Sequence, residues 1–314
     1  MKLISIIIPV FNRDTLLAYT LDSISKQTYT NWECILVDDG STDDSFILMQ
    51  EYQNRDVRFK AFKRPNSIAK GANPCRNYGF TKSSGFYIKW FDSDDIMLPN
   101  HLEIACQTLV ENQLDFVVTD TLNFDHDTNE FLGKPYDFDK NKAIFNTESI
   151  ALNRIGWITN DFLGVRRIVS NVKFNEYITD GDEYNFFIKV FQQDLKGVFI
   201  DKITTHRRIH NDSISVKNRI NDIHYLFILS NIKFQTANDL IVFDNKDLIR
   251  WFLSGYMQIS FDLALISEEA SYKNEAFKLI CKYFSIIKGL AFLIALVGAK
   301  YFNKGYYIMR YARE

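Results

Sequence analysis

Short apolar strands and amphipathic helices alternate along the first 120 residues of the chain. Residues 3–10 form a continuous, largely β-branched apolar run, which is typical of a strand covered on both faces. After it, Leu17, Leu21 and Ile24 recur at the spacing of an amphipathic helix. The same pattern predicts further strands at 33–37, 57–62, 86–91 and 114–119, each preceded by a helix. This alternation predicts an α/β fold with a mostly parallel sheet and helices on both of its faces.

Polar loops follow three of the predicted strands. Asn12 comes just after the first strand, Asp38 and Asp39 end the second, and residues 92–95 follow the fourth. In parallel α/β sheets, ligands bind beyond the carboxyl ends of the strands. We therefore expect these three loops to converge on one edge of the sheet.

The rest of the chain has a different pattern. Residues 121–215 are less regular and residues 216–314 are helical in pattern, so we expect a domain over 1–215 and a helical C-terminal extension over 216–314. In that extension, the uncharged part of an apolar segment covers residues 289–299, well short of the roughly 20 residues that a spanning helix needs. Two interpretations remain open: a helix that docks on the protein, or a helix that lies in a membrane interface.

Composition and charge exclude some classes of function. Apolar residues make up 46% of the 314 residues, which is enough for a substantial core, and the net charge is −2. This charge, without a basic and aromatic stretch near the N-terminus, disfavours nucleic-acid binding. The first apolar run is soon followed by Pro9 and Asn12, so we expect a cytoplasmic protein without a signal peptide.

Asp92, Asp94 and Asp95 place three carboxylates within four residues, directly after a buried strand. Such groups repel one another unless a cation or solvent neutralises them. A hard divalent cation, Mg²⁺ or Mn²⁺, relieves the repulsion and prefers one or two carboxylates together with phosphate oxygens. An acidic turn that caps the helix near Pro99 is the plainer interpretation, and both stay open at this point.

Four segments together resemble family 2 glycosyltransferases in order, spacing and identity. They are Ile7-Ile8-Pro9-Val10-Phe11-Asn12, Val37-Asp38-Asp39-Gly40-Ser41-Thr42-Asp43, Arg76-Asn77-Tyr78-Gly79, and Phe91-Asp92-Ser93-Asp94-Asp95 with Pro99. The resemblance covers about the first 120 residues firmly and continues more loosely to about residue 216. It implies a GT-A fold with a nucleotide-binding half over 1–120 and an acceptor-binding half over 121–215.

The resemblance also implies a role for residues in the three loops. Contacts to the base and ribose would come from Pro9, Val10, Phe11, Asn12 and Asp39, with Asp38 beside them and Asp92 facing the ribose; Ser93 would also bind the nucleotide. Lys70 or Arg76 would reach the diphosphate. Asp94 would bind the Mn²⁺ or Mg²⁺ ion that bridges the phosphates, and Asp95 would orient the loop.

Two later segments match the family pattern less closely. Asp182 and Glu183 lie where the family has a Glu-Asp-aromatic element that supplies the catalytic base, but their order is reversed, so either is a candidate base. The segment from Arg207 to Ser215 resembles an Arg-x-His-x-x-Ser-x-Ser element, which implies His210 as a metal ligand or phosphate contact and Arg208 as a nearby fixed cation. His206 does not lie in such an element, and three other histidines are expected to be ordinary surface or helix residues: His101, His126 and His224.

Taken together, the resemblance implies an inverting transferase that moves a sugar from a nucleotide diphosphate to a hydroxyl of a saccharide or lipid-linked saccharide. The donor base in this family is most often uracil, and GDP- or dTDP-sugars stay open. Trp157, Thr159 and Asn160 are candidates for a sugar groove, although Trp157 suits a core equally well. A lipid-linked acceptor, as in bacterial surface polysaccharide assembly, would suit the apolar C-terminal helix and a place at the inner face of the plasma membrane.

Two other functions compete with this interpretation. A nucleotidyltransferase also uses an α/β sheet and a divalent ion, but residues 9–13 lack the glycines of its phosphate loop. A catalytically silent nucleotide-sugar-binding protein is favoured by one feature, the reversed acidic pair at Asp182 and Glu183.

Overall fold

The computed structural model describes residues 1–210 and 221–314 of the chain. Its first half alternates strands and helices, as the sequence predicts. Their bounds are β1 Ile4–Val10, α1 Leu17–Ser25, β2 Trp32–Asp38, α2 Ser45–Arg55, β3 Phe59–Lys63, α3 Ala72–Lys82, β4 Tyr87–Trp90, β5 Ile96–Met97, α4 His101–Glu111 and β6 Phe116–Asp125. The elements that follow are β7 Phe131–Gly133, α5 Thr147–Ala151, β8 Phe162–Val165, α6 Arg166–Val169, α7 Asp182–Val190 and β9 Gly197–Ile209.

Side chains of β1 alternate between two buried layers because successive residues of a strand point to opposite faces. Ile4, Ile6 and Ile8 belong to a core cluster that also contains side chains of α1, α2 and α4. On the opposite face, a Cβ atom at Gly79 of α3 would lie 2.6 Å from Ile7 Cγ2, so the close approach of this helix requires glycine. Helices therefore cover both faces of the sheet, as predicted.

Within the described residues, the strands form one sheet in the order β3-β2-β1-β4-β8-β6-β9-β5, with β7 paired to β6. Strands β3, β2, β1 and β4 are parallel neighbours. Pro9 pairs with Val37 and Ile7 pairs with Trp90, so β1, β2 and β4 end at the same edge. The loops that carry Asn12, Asp39 and Asp92 to Asp95 therefore begin at this edge.

The α/β class is confirmed, but the second half of the sheet is mixed. Strand β8 is antiparallel to both β4 and β6, whereas β9 is parallel to β6. The exposed polar residues Asp201 and Lys202 interrupt the apolar pattern of β9, which is why periodicity did not predict that strand.

An aromatic core packs around β6 and β8. Trp157 is only 4% exposed, and its ring centroid lies 4.9 Å from that of Phe187 and 5.6 Å from that of Phe199. Thr159 is buried as well. The expectation that Trp157 and Thr159 line a sugar groove is therefore wrong, because each is only 4% exposed.

Contacts divide the chain into two compact units. The first is Met1–Glu176 with Phe186–His210, and the second is Tyr177–Asn185 with the described part of Asn211–Glu314. The predicted boundary between residues 215 and 216 lies outside the described residues and stays a prediction, as does the division at residue 120. The second unit is helical, as expected, with α8 Asp222–Asp239, α9 Lys246–Leu265, α10 Lys273–Tyr283, α11 Ile286–Phe302 and α12 Tyr306–Arg313.

The apolar helix α11 has two different sides. On one side Phe292 and Ala295 are fully buried, and the Phe292 ring lies 6.4 Å from that of Tyr256. The other side exposes large apolar side chains that are each 49–68% accessible: Ile286, Ile287, Leu290, Ile294 and Val297. The helix therefore docks on its own unit and still presents an apolar surface. Among the described helices, each is too short or too polar to cross a membrane.

Candidate active site

The loop after β1 is tied to the loop after β2 by backbone and side-chain hydrogen bonds. Asn12 N–H donates to Ser41 Oγ (3.0 Å), and Asn12 Oδ1 accepts from Thr42 N–H (2.9 Å). Asn12 adopts a left-handed backbone with φ 48°, which asparagine tolerates better than most residues. Next to it, Arg13 N–H donates to Ser45 Oγ (2.7 Å), so the backbone from which the Arg13 side chain extends is fixed.

Asp38 and Asp39 both hold loop backbone. The Asp38 carboxylate accepts from the N–H groups of Gly40 (3.2 Å) and Ser41 (3.1 Å), which closes the turn after β2. Asp39 Oδ1 accepts from Arg64 Nε (2.5 Å), and its Oδ2 accepts from Gly71 N–H (2.9 Å). Asp39 therefore fixes the segment before α3 against the end of β2.

The two basic residues expected near a diphosphate lie in different surroundings. Lys70 is exposed, and its Nζ lies 3.9 Å from the ring centroid of Phe11, which is itself 38% exposed. Arg76 is buried, and its guanidinium donates to Asp92 Oδ1 (2.9 Å) and Asn73 Oδ1 (2.9 Å). Arg76 therefore neutralises Asp92, whereas the Lys70 ammonium is accessible to solvent.

Asp94 and His210 meet across the sheet edge. Asp94 Oδ2 lies 3.1 Å from His210 Nε2 and 3.2 Å from Arg13 Nε. Burial opposes ionisation of Asp94, but the hydrogen bond from His210 and the charge of Arg13 outweigh it and lower the pKa of the carboxyl. The carboxylate is therefore charged at neutral pH and shared by two nitrogen groups.

Asp95 is buried beneath this point and anchors the loop. Its Oδ1 accepts from Arg208 N–H (2.8 Å), and its backbone carbonyl accepts from Thr20 Oγ1 (2.8 Å). Burial, followed by the charges of Asp94 and Asp92, raises the pKa of Asp95 well above its usual value. These contacts agree with the expectation that Asp95 orients the loop. The neighbouring Ser93 is also buried.

Arg208 is a second anchor of the same loop. It is buried, and its Nε donates to the Asp94 carbonyl (3.0 Å) while its Nη1 lies 3.1 Å from His126 Nδ1. The His126 ring lies 6.5 Å from that of His210, so His126 lies beside these residues, a position that the sequence did not predict. His101 is a helix residue, as expected, and it is fully buried at the start of α4.

A buried polar network holds the acidic loop at residues 92–95, which follows β4. Asn160 Oδ1 accepts from Asp92 N–H (2.9 Å), and Asn160 Nδ2 donates to Asp95 Oδ2 (2.5 Å). The Asn160 carbonyl accepts from the ammonium of Lys89, which is fully buried in β4. Burial lowers the pKa of Lys89 to about 7 and raises the pKa of the nearby Asp161 to about 7. Asn160 is thus fully buried, and the expectation that it lines a sugar groove is wrong.

Sequence reasoning missed several of these residues, and the signals differ. Lys89 could have been noticed as a charged residue inside an apolar strand, and Arg13 as the direct neighbour of Asn12. Asn160 was expected in a sugar groove and His126 in an ordinary position, because the contacts that bring them beside the acidic residues come from distant parts of the chain.

The two candidate bases belong to the second unit. Asp182 and Glu183 are the first residues of α7 and are half-buried. The turn before them contains Gly181 with φ +69°, and Asn185 on the same helix donates to Thr236 Oγ1 (3.1 Å). Their catalytic role stays a prediction. The part of the Arg-x-His element at residues 211–215 lies outside the described residues.

The site in the first unit offers a limited set of cation ligands. In the part of the chain that the structure describes, there is no group of three or more His, Cys, Asp and Glu side chains that could hold a metal ion. The facing Asp94 and His210 atoms supply one carboxylate and one imidazole. That pair fits a divalent cation whose other ligands come from a bound diphosphate and water.

The sheet order and the loops at its edge define the GT-A class of nucleotide-sugar fold. The model for glycosyl transferase family 2 matches residues 5–172, and the chain belongs to that family. The 1–349 fragment of S. aureus TarS, in complex with UDP-GlcNAc, superimposes with a TM-score of 0.65 over 100% of this chain and 90% of that fragment, at 16% identity.

Two curated relatives are similar in sequence. Glycosyltransferase GlyG of Streptococcus pneumoniae is 36% identical over 130 residues, which is 41% of this chain and 42% of GlyG. The UDP-Glc:alpha-D-GlcNAc-diphosphoundecaprenol beta-1,3-glucosyltransferase WfaP of Escherichia coli is 28% identical over 247 residues, which is 77% of this chain and 91% of WfaP. The chain thus spans less than half the length of GlyG and most of the length of WfaP.

Proposed function

We propose that this chain is an inverting glycosyltransferase that moves a sugar from a UDP-sugar to a hydroxyl of a saccharide or lipid-linked saccharide. The observation that carries the proposal is the convergence of Asp94 Oδ2 and His210 Nε2, 3.1 Å apart, at the edge where the loops after β1 and β2 also lie. Membership of glycosyl transferase family 2 supports glycosyl transfer over nucleotidyl transfer. The UDP-Glc in the name of WfaP and the UDP-GlcNAc bound to TarS support a UDP-linked donor.

In this proposal the loops after β1, β2 and β4 hold the nucleotide. The residues assigned to the base and ribose are Pro9, Val10, Phe11, Asn12, Asp38, Asp39, Asp92 and Ser93. Of the two basic residues, Lys70 is the better candidate for the diphosphate because Arg76 is buried and donates to Asp92.

Asp94 and His210 would hold a divalent cation, Mn²⁺ or Mg²⁺. Such a cation would neutralise the leaving nucleoside diphosphate as a Lewis acid. Arg208 and Asp95 set the position of the Asp94 backbone through the hydrogen bonds described above, so they act on the reaction by positioning. His126 and Arg208 together restrict the surroundings of His210.

The base in this proposal is Asp182 or Glu183. One carboxylate takes the proton of the acceptor hydroxyl, and the oxygen forms a bond to the anomeric carbon as the bond to the diphosphate breaks. Attack from the face opposite the leaving group inverts the configuration in a single displacement. The proton ends on the carboxylate, and the nucleoside diphosphate leaves with the electron pair of the broken bond.

We further infer a lipid-linked acceptor, as in bacterial surface polysaccharide assembly, and a place for the protein at the inner, cytoplasmic face of the plasma membrane. The exposed side of α11 is apolar from Ile286 to Val297, which is about three helical turns. All charged residues of the segment 276–313 are basic: Lys278, Lys282, Lys288, Lys300, Lys304, Arg310 and Arg313. An apolar helix face with basic surroundings suits the interface of an anionic bilayer.

Thermal unfolding with nucleotide diphosphates tests the donor proposal. UDP with Mn²⁺ should raise the unfolding temperature of the wild type more than GDP, dTDP or UDP with EDTA, because binding to the folded state stabilises it. The variant Asp94→Asn should lose the part of this rise in unfolding temperature that depends on Mn²⁺. Equal shifts with all nucleotides, or with and without Mn²⁺, would contradict the proposal.

Vesicle flotation tests the membrane proposal. The double variant Ile287→Glu and Ile294→Glu should lose binding to vesicles that contain phosphatidylglycerol, because two carboxylates would enter the lipid interface. Val242→Glu is a matched control, since Val242 is 83% exposed in the same unit but lies away from α11 in the sequence. Unchanged flotation of the double variant would contradict the membrane proposal.

A further inference from the structure

We propose that Arg13 occupies the cation-binding oxygen of Asp94 in the unliganded protein and pairs with the donor diphosphate once a divalent cation is bound. This inference rests on the proposed cation site at Asp94 and His210. In this inference Arg13 weakens the binding of the metal ion and strengthens the binding of the nucleotide.

The geometry places Arg13 in direct competition with a cation. Arg13 Nε lies 3.2 Å from Asp94 Oδ2, the same oxygen that faces His210 Nε2. A divalent cation binds a carboxylate oxygen at about 2.1 Å, much closer than a guanidinium can approach. Two positive groups at one oxygen also repel each other. The guanidinium must therefore withdraw from Asp94 Oδ2 when a cation binds there.

Arg13 differs from the other arginines of the site in how it is held. Its side chain is 21% exposed, whereas those of Arg64 and Arg76 are 11% and 7% exposed. Its contact with Asp94 uses Nε, and its Nη1 donates to the Asn12 carbonyl (3.1 Å). Arg64 and Arg76 hold loops together with side chains that are less exposed, and Arg13 has a more accessible side chain.

Hydrogen bonds hold the Arg13 backbone in place, whereas the Arg13 guanidinium can change its partner from Asp94 to a phosphate group. Ser45 Oγ holds its N–H, and the Asn12 contacts with Ser41 and Thr42 hold the preceding residue. A guanidinium extended from a fixed loop can pair with phosphate oxygens through two parallel N–H groups. Displacement from Asp94 therefore leaves a positive group beside the loop that we assign to the nucleotide.

Metal binding measured without turnover tests this inference. Free Mn²⁺ measured by electron paramagnetic resonance, in the absence of nucleotide, should show about tenfold tighter binding to Arg13→Gln than to the wild type, because a competing cation is gone. Calorimetry with UDP at saturating Mn²⁺ should show about tenfold weaker UDP binding to the same variant, because a charged phosphate contact is lost. Arg13→Lys keeps the charge and should bind Mn²⁺ like the wild type.

Arg55→Gln is the control, since Arg55 pairs with Glu51 on the exposed surface of α2 and should leave both affinities unchanged. Unchanged or weaker Mn²⁺ binding by Arg13→Gln, in a protein whose wild type binds UDP with Mn²⁺, would overturn the role of Arg13 and leave the cation site standing. Absence of Mn²⁺-dependent UDP binding in both the wild type and Arg13→Gln would remove the cation site itself, and the inference with it.

Discussion

Asn160 donates a hydrogen bond from its side chain to the buried carboxyl group of Asp95, at 2.5 Å, across 65 positions of the sequence. Its side-chain oxygen accepts from Asp92 N–H, and its carbonyl accepts from Lys89. One residue thus joins both ends of the acidic loop to a buried ammonium group in the sheet. The conformation of the loop that carries Asp94 depends on a contact from a distant segment.

Replacing Asn160 with alanine should weaken both the fold and the site. The variant removes the buried hydrogen bonds that Asn160 makes with Asp95 Oδ2 and the Asp92 N–H, and we expect a loss of about 2–4 kcal/mol in the free energy of unfolding. Affinity for UDP with Mn²⁺ should fall as well. Asn77→Ala is a useful comparison, because Asn77 also bridges backbone groups, at Phe174, but outside the acidic loop. Urea unfolding and calorimetry check both effects, and a normal UDP affinity in Asn160→Ala would contradict the positioning role.

Acid should destabilise the protein partly through Glu33. This buried carboxylate accepts from Ser5 Oγ, Lys60 Nζ and Ser84 N–H, each at 2.6 Å. Burial opposes its ionisation, but these donors outweigh burial and lower its pKa from 4.5 to about 2. Because the folded pKa is lower than the unfolded one, the stabilisation is full above about pH 4.5 and is lost as the pH falls towards 2.

The variant Glu33→Gln isolates this contribution. The pKa shift corresponds to roughly 3 kcal/mol. The free energy of unfolding of the wild type should therefore exceed that of the variant by about that amount at pH 7 and by much less near pH 2. Urea unfolding at several pH values measures the difference. A constant difference across the range would mean that the charge of Glu33 is not what stabilises the fold.

The candidate bases can be separated by their isosteric amides. Loss of the base should lower kcat by about 10²–10⁴-fold with little change in the affinity for UDP. We expect one of Asp182→Asn and Glu183→Gln to show this loss and the other to retain most activity. Turnover and UDP calorimetry of both variants provide the measurement. Full activity in both would remove α7 from the chemistry.

The first half of the fold was predictable because its strands are covered on both faces. Such strands appear as continuous apolar runs, and β1 and β2 are buried along their whole length. The second half was not predictable in this way. Strand β9 carries exposed polar residues and register shifts against β6 near Asp120, so its alternation is broken. The pairing of β9 with its neighbouring strands depends on tertiary packing, which the local hydrophobic periodicity does not indicate.

The candidate site shows the same division between local and distant information. Asp38 ends β2, Asp39 follows it, and Asp94 lies in the loop after β4, so the rule for the carboxyl ends of parallel strands predicted all three at one edge. Trp157 was ambiguous in the sequence, since an aromatic side chain suits a sugar groove or a core, and packing against Phe187 and Phe199 decided for the core. His126 became a site residue only because β6 pairs with β9 near Ile209.

Release of UDP from UDP-glucose and UDP-GlcNAc, with and without Mn²⁺, tests the central claim most directly. An acceptor analogue with a diphospho-linked GlcNAc should be present, and wild type and Asp94→Asn should be compared. We predict Mn²⁺-dependent release by the wild type that falls at least about 100-fold in Asp94→Asn, because the charge of the leaving diphosphate is no longer neutralised. A wild type that binds UDP yet releases none from any donor, or an Asp94→Asn variant as fast as the wild type, would contradict the account.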